Sequence, residues 1–173
     1  MSNLISIREE LSRYEDKIIN KCIESSKNRT EWDIIDIDGI VESMDFNMEN
    51  KYHFILNDII YYYYDNNRIE GNTELEKELF ILITNRILLG KEVIKNKILL
   101  DKDKYSELID KQDMDSISSL LENKEVENKI ISRLINKEIH GYTSEIKMKV
   151  VSLYKDFIIP YTKRVQLVYC LLH

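Results

Sequence analysis

The stretch 73-TELEKELFILITNRILLGKEVIKNKILL-100 decides the fold. Leu75, Leu79, Leu82, Ile83, Leu89, Val93 and Ile94 recur at intervals of three and four, the spacing of one helical face, and nothing in it alternates as a strand would. The period predicts one long helix from near Thr73 to about Leu100. Upstream, Leu4, Ile7, Leu11, Tyr14, Ile18, Ile19, Cys22 and Ile23 predict a helix over 4–27. A second helix is expected over 50–66, ending at Asp65-Asn66-Asn67, with residues 28–50 as a mixed connection. Downstream, shorter helices are expected at about 103–111, 114–122 and 124–138, the last ended by His140-Gly141. The final helix should run from Ser144 to Leu172, and Pro160 inside it should remove one hydrogen bond and bend it.

Four glycines and one proline in 173 residues disfavour a strand-and-turn architecture. Isoleucine abounds and alanine is absent, a bias that looks nucleotide-compositional, so isoleucine alone is no argument for strands. The reading is all-α, a single domain over residues 1–173, large enough for a real core.

Composition also excludes function classes. With 43% hydrophobic residues the chain is not a disordered tail, and no apolar run is long enough to span a membrane. A net charge of −6 argues against nucleic acid as a partner, while leaving room for a small cationic pocket. The N-terminal segment lacks the pattern of a signal peptide, and Cys22 and Cys170 cannot form a disulfide framework; a cytoplasmic protein is expected.

Polar residues at core-facing helical positions carry the chemistry. Arg86 and Lys97 lie 11 residues apart, three turns plus about 20°, and so face the same way. Gly90 lies near that face, where a missing side chain leaves room. Two cations on one apolar stripe repel unless something anionic sits beside them. Asn123 and Glu127 form an i, i+4 pair, as do Thr162 and Gln166, and Arg8 lies between Leu4 and Leu11 on the first helix. Each has a plainer explanation. Either arginine can reach to solvent along its stem, Asn123 can be a helix N-cap with Glu127 in the first turn, and Thr162 can bond back within its own helix.

Taken in order, these segments resemble a family. Residues 7–19, IREELSRYEDKII, are similar to the first helix of chorismate mutases of the all-helical AroQ class, closest to the eukaryotic, yeast-like branch. Residues 85–93, NRILLGKEV, with Lys97, resemble that branch's long central helix. Residues 113–134, including 123-NKEVENKI-130, and 154-YKDFIIPYTK-163 resemble its two final blocks.

The resemblance implies a helical bundle with a long central and a long C-terminal helix, no cofactor, no metal, and a homodimer. It implies the rearrangement of chorismate to prephenate in aromatic amino acid biosynthesis, an intramolecular Claisen reaction needing no nucleophile or proton donor. Arg8 and Arg86 would bind the two substrate carboxylates, and Lys97 would donate to the ether oxygen. Glu127, supported by Asn123, would hold the ring-hydroxyl side, and Thr162 would help place a carboxylate. At Gln166 the yeast-like enzymes carry a glutamate that must be protonated to donate to the ether oxygen, whereas an amide donates at any ordinary pH. Activity is therefore expected not to fall through neutral pH.

Regulation is expected to be weak or absent. Yeast-like enzymes bind aromatic amino acids at the dimer interface, and of their motif only Gly71 and Thr73 are matched in Arg68-Ile69-Glu70-Gly71-Asn72-Thr73. Tyr61-Tyr62-Tyr63-Tyr64 reads as core or interface packing, since four successive residues point all round a helix. His53, His140 and His173 show no metal spacing, and Asp36-Ile37-Asp38-Gly39 lacks the rest of a calcium loop. Glu9, Glu10, Glu15 and Asp16 read as solvated helix face. Two alternatives stand beside the mutase: a helical binding or assembly module of this fold without catalysis, and an isochorismate pyruvate-lyase. Unpaired buried charges argue against the first, and chain length against the second, whose members are short three-helix chains.

Overall fold

The computed structural model describes residues 4–27 and 73–172, and they are helical with short connections. The expected helix at 50–66, the tyrosine run, the Asp36–Gly39 stretch, His53, His173 and the segment around Gly71 lie outside the described residues. In chain order the elements are α1 (Leu4–Lys27), α2 (Thr73–Leu88), α3 (Gly90–Leu100), α4 (Lys102–Asp110), α5 (Met114–Leu121), α6 (Lys124–Asn136) and α7 (Ser144–Leu153). A π-helical turn (Tyr154–Ile158) then leads into α8 (Ile159–Leu172).

The long central helix expected over 73–100 is present as α2 and α3, interrupted only at Leu89. Backbone bonds run through the interruption: the Leu89 N–H donates to Asn85 O at 3.1 Å and the Val93 N–H to Leu89 O at 3.1 Å. The axis therefore continues, and residues on either side keep a common face. α1 packs chiefly along α2, and α8 lies across both α2 and α3. One core cluster joins Ile18, Ile19 and Cys22 of α1 to Leu79, Phe80, Ile83 and Ile87 of α2, and to Leu153, Tyr154, Phe157, Ile158 and Val165 near the C-terminus. A second, smaller cluster gathers Ile94, Tyr105, Ile117, Leu121 and Cys170, holding α4 and α5 against the ends of α3 and α8.

The short helices begin where local chemistry stops the backbone. Asp113 accepts from the Ser116 N–H (3.2 Å), Asn123 from the Val126 N–H (3.1 Å) and Thr143 from the Ile146 N–H (3.3 Å), each satisfying an orphan donor of a first turn. α6 ends at Asn136, before the expected 138, because Lys137 is already extended. The chain then turns at Gly141, whose φ of 83° is a left-handed conformation that suits glycine. The Tyr142 hydroxyl ties this turn down by donating to Leu134 O at 2.9 Å.

Pro160 acts one turn upstream of itself. Lacking an N–H, it cannot bond to the carbonyl four residues back, and its ring crowds that carbonyl. The backbone answers by widening to a π-turn over 154–158, in which the Ile159 N–H bonds to Tyr154 O. The helix thus gains a register offset just before Thr162 and Gln166.

One surface expectation is corrected. Glu15 is 1% exposed, not solvated. It receives a two-pronged bond from Arg133, with Nε at 3.1 and 2.8 Å from its two oxygens, and lies 3.4 Å from Lys137 Nζ. Neighbouring Asp16, exposed as expected, also pairs with Lys137. The sequence places the four acids as one charged run, but 3.6-residue periodicity turns Glu15 inward toward α6.

Candidate active site

α1, α3, α6 and α8, with the last turn of α2, enclose a cavity of about 200 Å³. Arg8, Arg86, Lys97, Asn123, Glu127, Thr162 and Gln166 all line it, so every candidate from the sequence meets in one place. Leu4, Leu11, Val93, Leu121, Val126, Ile130 and Ile159 supply apolar wall between them. Such a wall keeps water low and strengthens every charge interaction inside.

Arg86 forms the deep end. It is 4% exposed, which excludes the reading that it reaches to solvent. Its guanidinium carbon lies 5.8 Å from the centre of the Tyr154 ring, and neither its Nε nor the Tyr154 hydroxyl has a hydrogen-bond partner. Burial pulls its pKa below the usual arginine range, partly offset by the electrostatic pull of Tyr154 and Glu15. Burial likewise pushes the Tyr154 phenol well above its ordinary value. A buried guanidinium with a free donor is costly unless an anion completes it.

Lys97 stands half-buried along the same stripe, and burial, then the nearby charge of Arg8, lowers its pKa. Arg8 itself lies exposed at the rim. The three cations thus grade from an enclosed arginine through a half-buried lysine to an open arginine.

On the opposite wall, Gln166 is 7% exposed and has no hydrogen bond to another described side chain, leaving its amide free for the cavity. Thr162 bears out its plain reading as well as lining the pocket: its hydroxyl donates to Ile158 O at 2.6 Å. To serve a ligand it must turn off that carbonyl or accept through its lone pairs. Asn123 is likewise both things at once, its side-chain oxygen capping α6 while its amide NH₂ remains available. Glu127 is partly exposed and 3.6 Å from Lys124 Nζ.

The sequence missed Lys163, which also lines the cavity beside Thr162. Its position next to Thr162 on an i, i+1 step gave no periodic signal. It also missed the Glu15–Arg133–Tyr154 surroundings of Arg86, because such partners come from distant segments. The room left by the missing side chain at Gly90 is filled by Thr162 of α8. Among the described residues, no group of three His, Cys, Asp or Glu side chains is placed to hold a metal, and no helix is long and apolar enough to cross a membrane.

No protein-family model matches the chain. It is similar to the chorismate mutase of Pichia angusta, 38% identical over 101 residues, covering 51% of this chain and 36% of that protein. It is 34% identical over 99 residues to the chorismate mutase of Trichoderma parareesei, 50% of this chain and 37% of the relative. The chorismate mutase of Saccharomyces cerevisiae is 32% identical over 116 residues, 62% of this chain and 45% of that protein. The matched segment thus spans less than half the length of these relatives. The fold is shared with the chorismate mutase of Candida albicans solved in complex with L-Trp, with a TM-score of 0.74 at 22% identity, covering 98% of this chain and 90% of that one. AtCM1, solved with phenylalanine in an allosteric site, gives a TM-score of 0.70 at 22% identity, over 98% of this chain and 95% of that one. These findings bear out the resemblance to the eukaryotic branch and the all-helical AroQ fold.

Proposed function

We propose that this chain catalyses the rearrangement of chorismate to prephenate. The observation that carries the reading is the convergence of seven polar side chains, from four separate stretches of sequence, on one mostly apolar cavity.

The reaction breaks an ether C–O bond while forming a C–C bond within one molecule, so the protein must hold a compact chair conformer and stabilise charge growing on the ether oxygen. Arg86, buried and missing a partner for Nε, suits one carboxylate through its planar fork. Arg8 at the rim suits the second and is the first charge an incoming dianion meets. Lys97 and Gln166 donate to the ether oxygen from α3 and α8, and neither gives up its proton. Glu127 accepts from the ring hydroxyl, with the Asn123 amide beside it, and Thr162 steadies a carboxylate. Lys97 and Gln166 already face the cavity, so only the Thr162 hydroxyl must turn, off Ile158 O, to meet a carboxylate.

The same reading makes the chain one chorismate-mutase-type domain, a homodimer in the cytoplasm, supplying aromatic amino acid biosynthesis. The likeness to enzymes named chorismate mutase supports the place in aromatic amino acid biosynthesis.

The test is conversion of chorismate by the purified protein without added cofactor, followed as loss of chorismate absorbance with prephenate identified as product. Turnover by the wild type, reduced at least about 100-fold in Arg86→Ala, is expected. A folded wild type that leaves chorismate unchanged overturns the proposal in favour of a binding module.

A further inference from the structure

Gly90 lies on the stripe that carries Arg86 and Lys97, four residues after the first and seven before the second. Its backbone is not among the positive-φ positions, so nothing in its own conformation calls for glycine. Helix propensity favours almost any other residue there. What calls for glycine is α8. A Cβ at this position would lie 2.8 Å from Thr162 Cγ2, 2.9 Å from Thr162 O and 3.5 Å from Gln166 Cγ. The first contact could be relieved by rotating Thr162, except that its hydroxyl is engaged with Ile158 O at 2.6 Å. The second is to backbone and cannot be relieved without moving α8. The backbones of α3 and α8 therefore approach closely at Gly90 and Thr162, beside the cavity.

We propose that Gly90 is a positioning residue: its missing side chain lets α8 seat against α3 at Thr162, and that seat sets where Thr162 and Gln166 stand relative to Lys97. The inference rests on the reading of the cavity as a chorismate mutase site. A side chain at Gly90 pushes α8 outward, shifts Thr162, withdraws the Gln166 amide from the ether oxygen and leaves the Arg8 and Arg86 carboxylate contacts in place. The effect belongs in kcat more than in KM.

The experiment compares wild type, Gly90→Ala, Gln166→Ala and the double variant in steady-state turnover of chorismate, with thermal melts to establish folding. Gly90→Ala should lower kcat roughly 10- to 100-fold with KM within about threefold of wild type. The double variant should lose little beyond Gln166→Ala alone, since the donor being displaced is already gone, whereas independent effects would multiply. An active wild type with an equally active Gly90→Ala, or multiplicative losses, overturns the inference alone. An inert wild type overturns the reading of the site and this inference with it. Should Gly90→Ala not fold, Gly90→Ala/Thr162→Ser, which removes Cγ2, is compared with Thr162→Ser. A folded double variant with lower kcat supports the seat; equal kcat, or failure to fold here too, overturns it.

Discussion

Gln166 and Lys97 make the site's pH behaviour a matter of one titration. An amide donates without titrating, so the rate should hold level through neutral pH. On the alkaline side Lys97 must keep its proton, and burial together with Arg8 has lowered its pKa, so the loss begins below the reference lysine value of about 10.4. A bound dianion favours the ammonium again. The fall in kcat/KM, which reports the free enzyme, should therefore come at lower pH than the fall in kcat. In Gln166→Glu the donor must be a protonated carboxyl, and activity should decline as pH rises through the carboxyl's titration. Paired pH profiles of the two proteins check this, and a wild type that loses activity steeply between about pH 6 and 8 would contradict it. Arg86 makes the opposite trade. Its buried guanidinium lacks a partner for Nε in the unliganded protein, so Arg86→Met should abolish turnover yet raise the melting temperature by about 2–4 °C. The residues of this site were legible because polar side chains on apolar faces, each with a plainer explanation alone, follow one another in the order of a known family. Lys163 and Glu15 were not, since each sits beside other polar residues and only the three-dimensional packing separates the inward one from its neighbours.

At the scale of elements, periodicity located the helices and capping chemistry ended them, while irregularities escaped the sequence. Pro160 was visible and its bend was expected, but the widening to a π-turn one turn upstream was not. The Leu89 interruption and the Gly90 seat fall where α8 crosses α2 and α3, a tertiary contact, whereas the π-turn follows from Pro160. The α1–α6 contact rests on Glu15. Because it is buried and serves both Arg133 and Lys137, Glu15→Ala should leave Arg133 without its carboxylate and Lys137 with Asp16 alone, and destabilise the fold by about 3 kcal/mol. Asp16→Ala, at an exposed pair, should change stability by less than about 1 kcal/mol. Denaturant midpoints of the two variants distinguish a buried anchor from a surface pair.

Across the whole molecule, an acidic chain encloses a cationic cavity. Among the described residues, four cations, Arg8, Arg86, Lys97 and Lys163, line the cavity against one carboxylate, Glu127. That positive balance draws a small dianion inward and makes capture of substrate sensitive to salt: kcat/KM should fall with ionic strength while kcat changes little. The central claim is that the cavity is preorganised for a transition state rather than for dianions in general. Calorimetric binding of an ether-bridged bicyclic dicarboxylate, a mimic of the chair transition state, tests it most directly against binding of prephenate. Binding of the mimic at least about 100-fold tighter than prephenate, and lost in Arg86→Ala, is the predicted result. Equal affinity for the two ligands, or a mimic that binds Arg86→Ala as well as wild type, would contradict it.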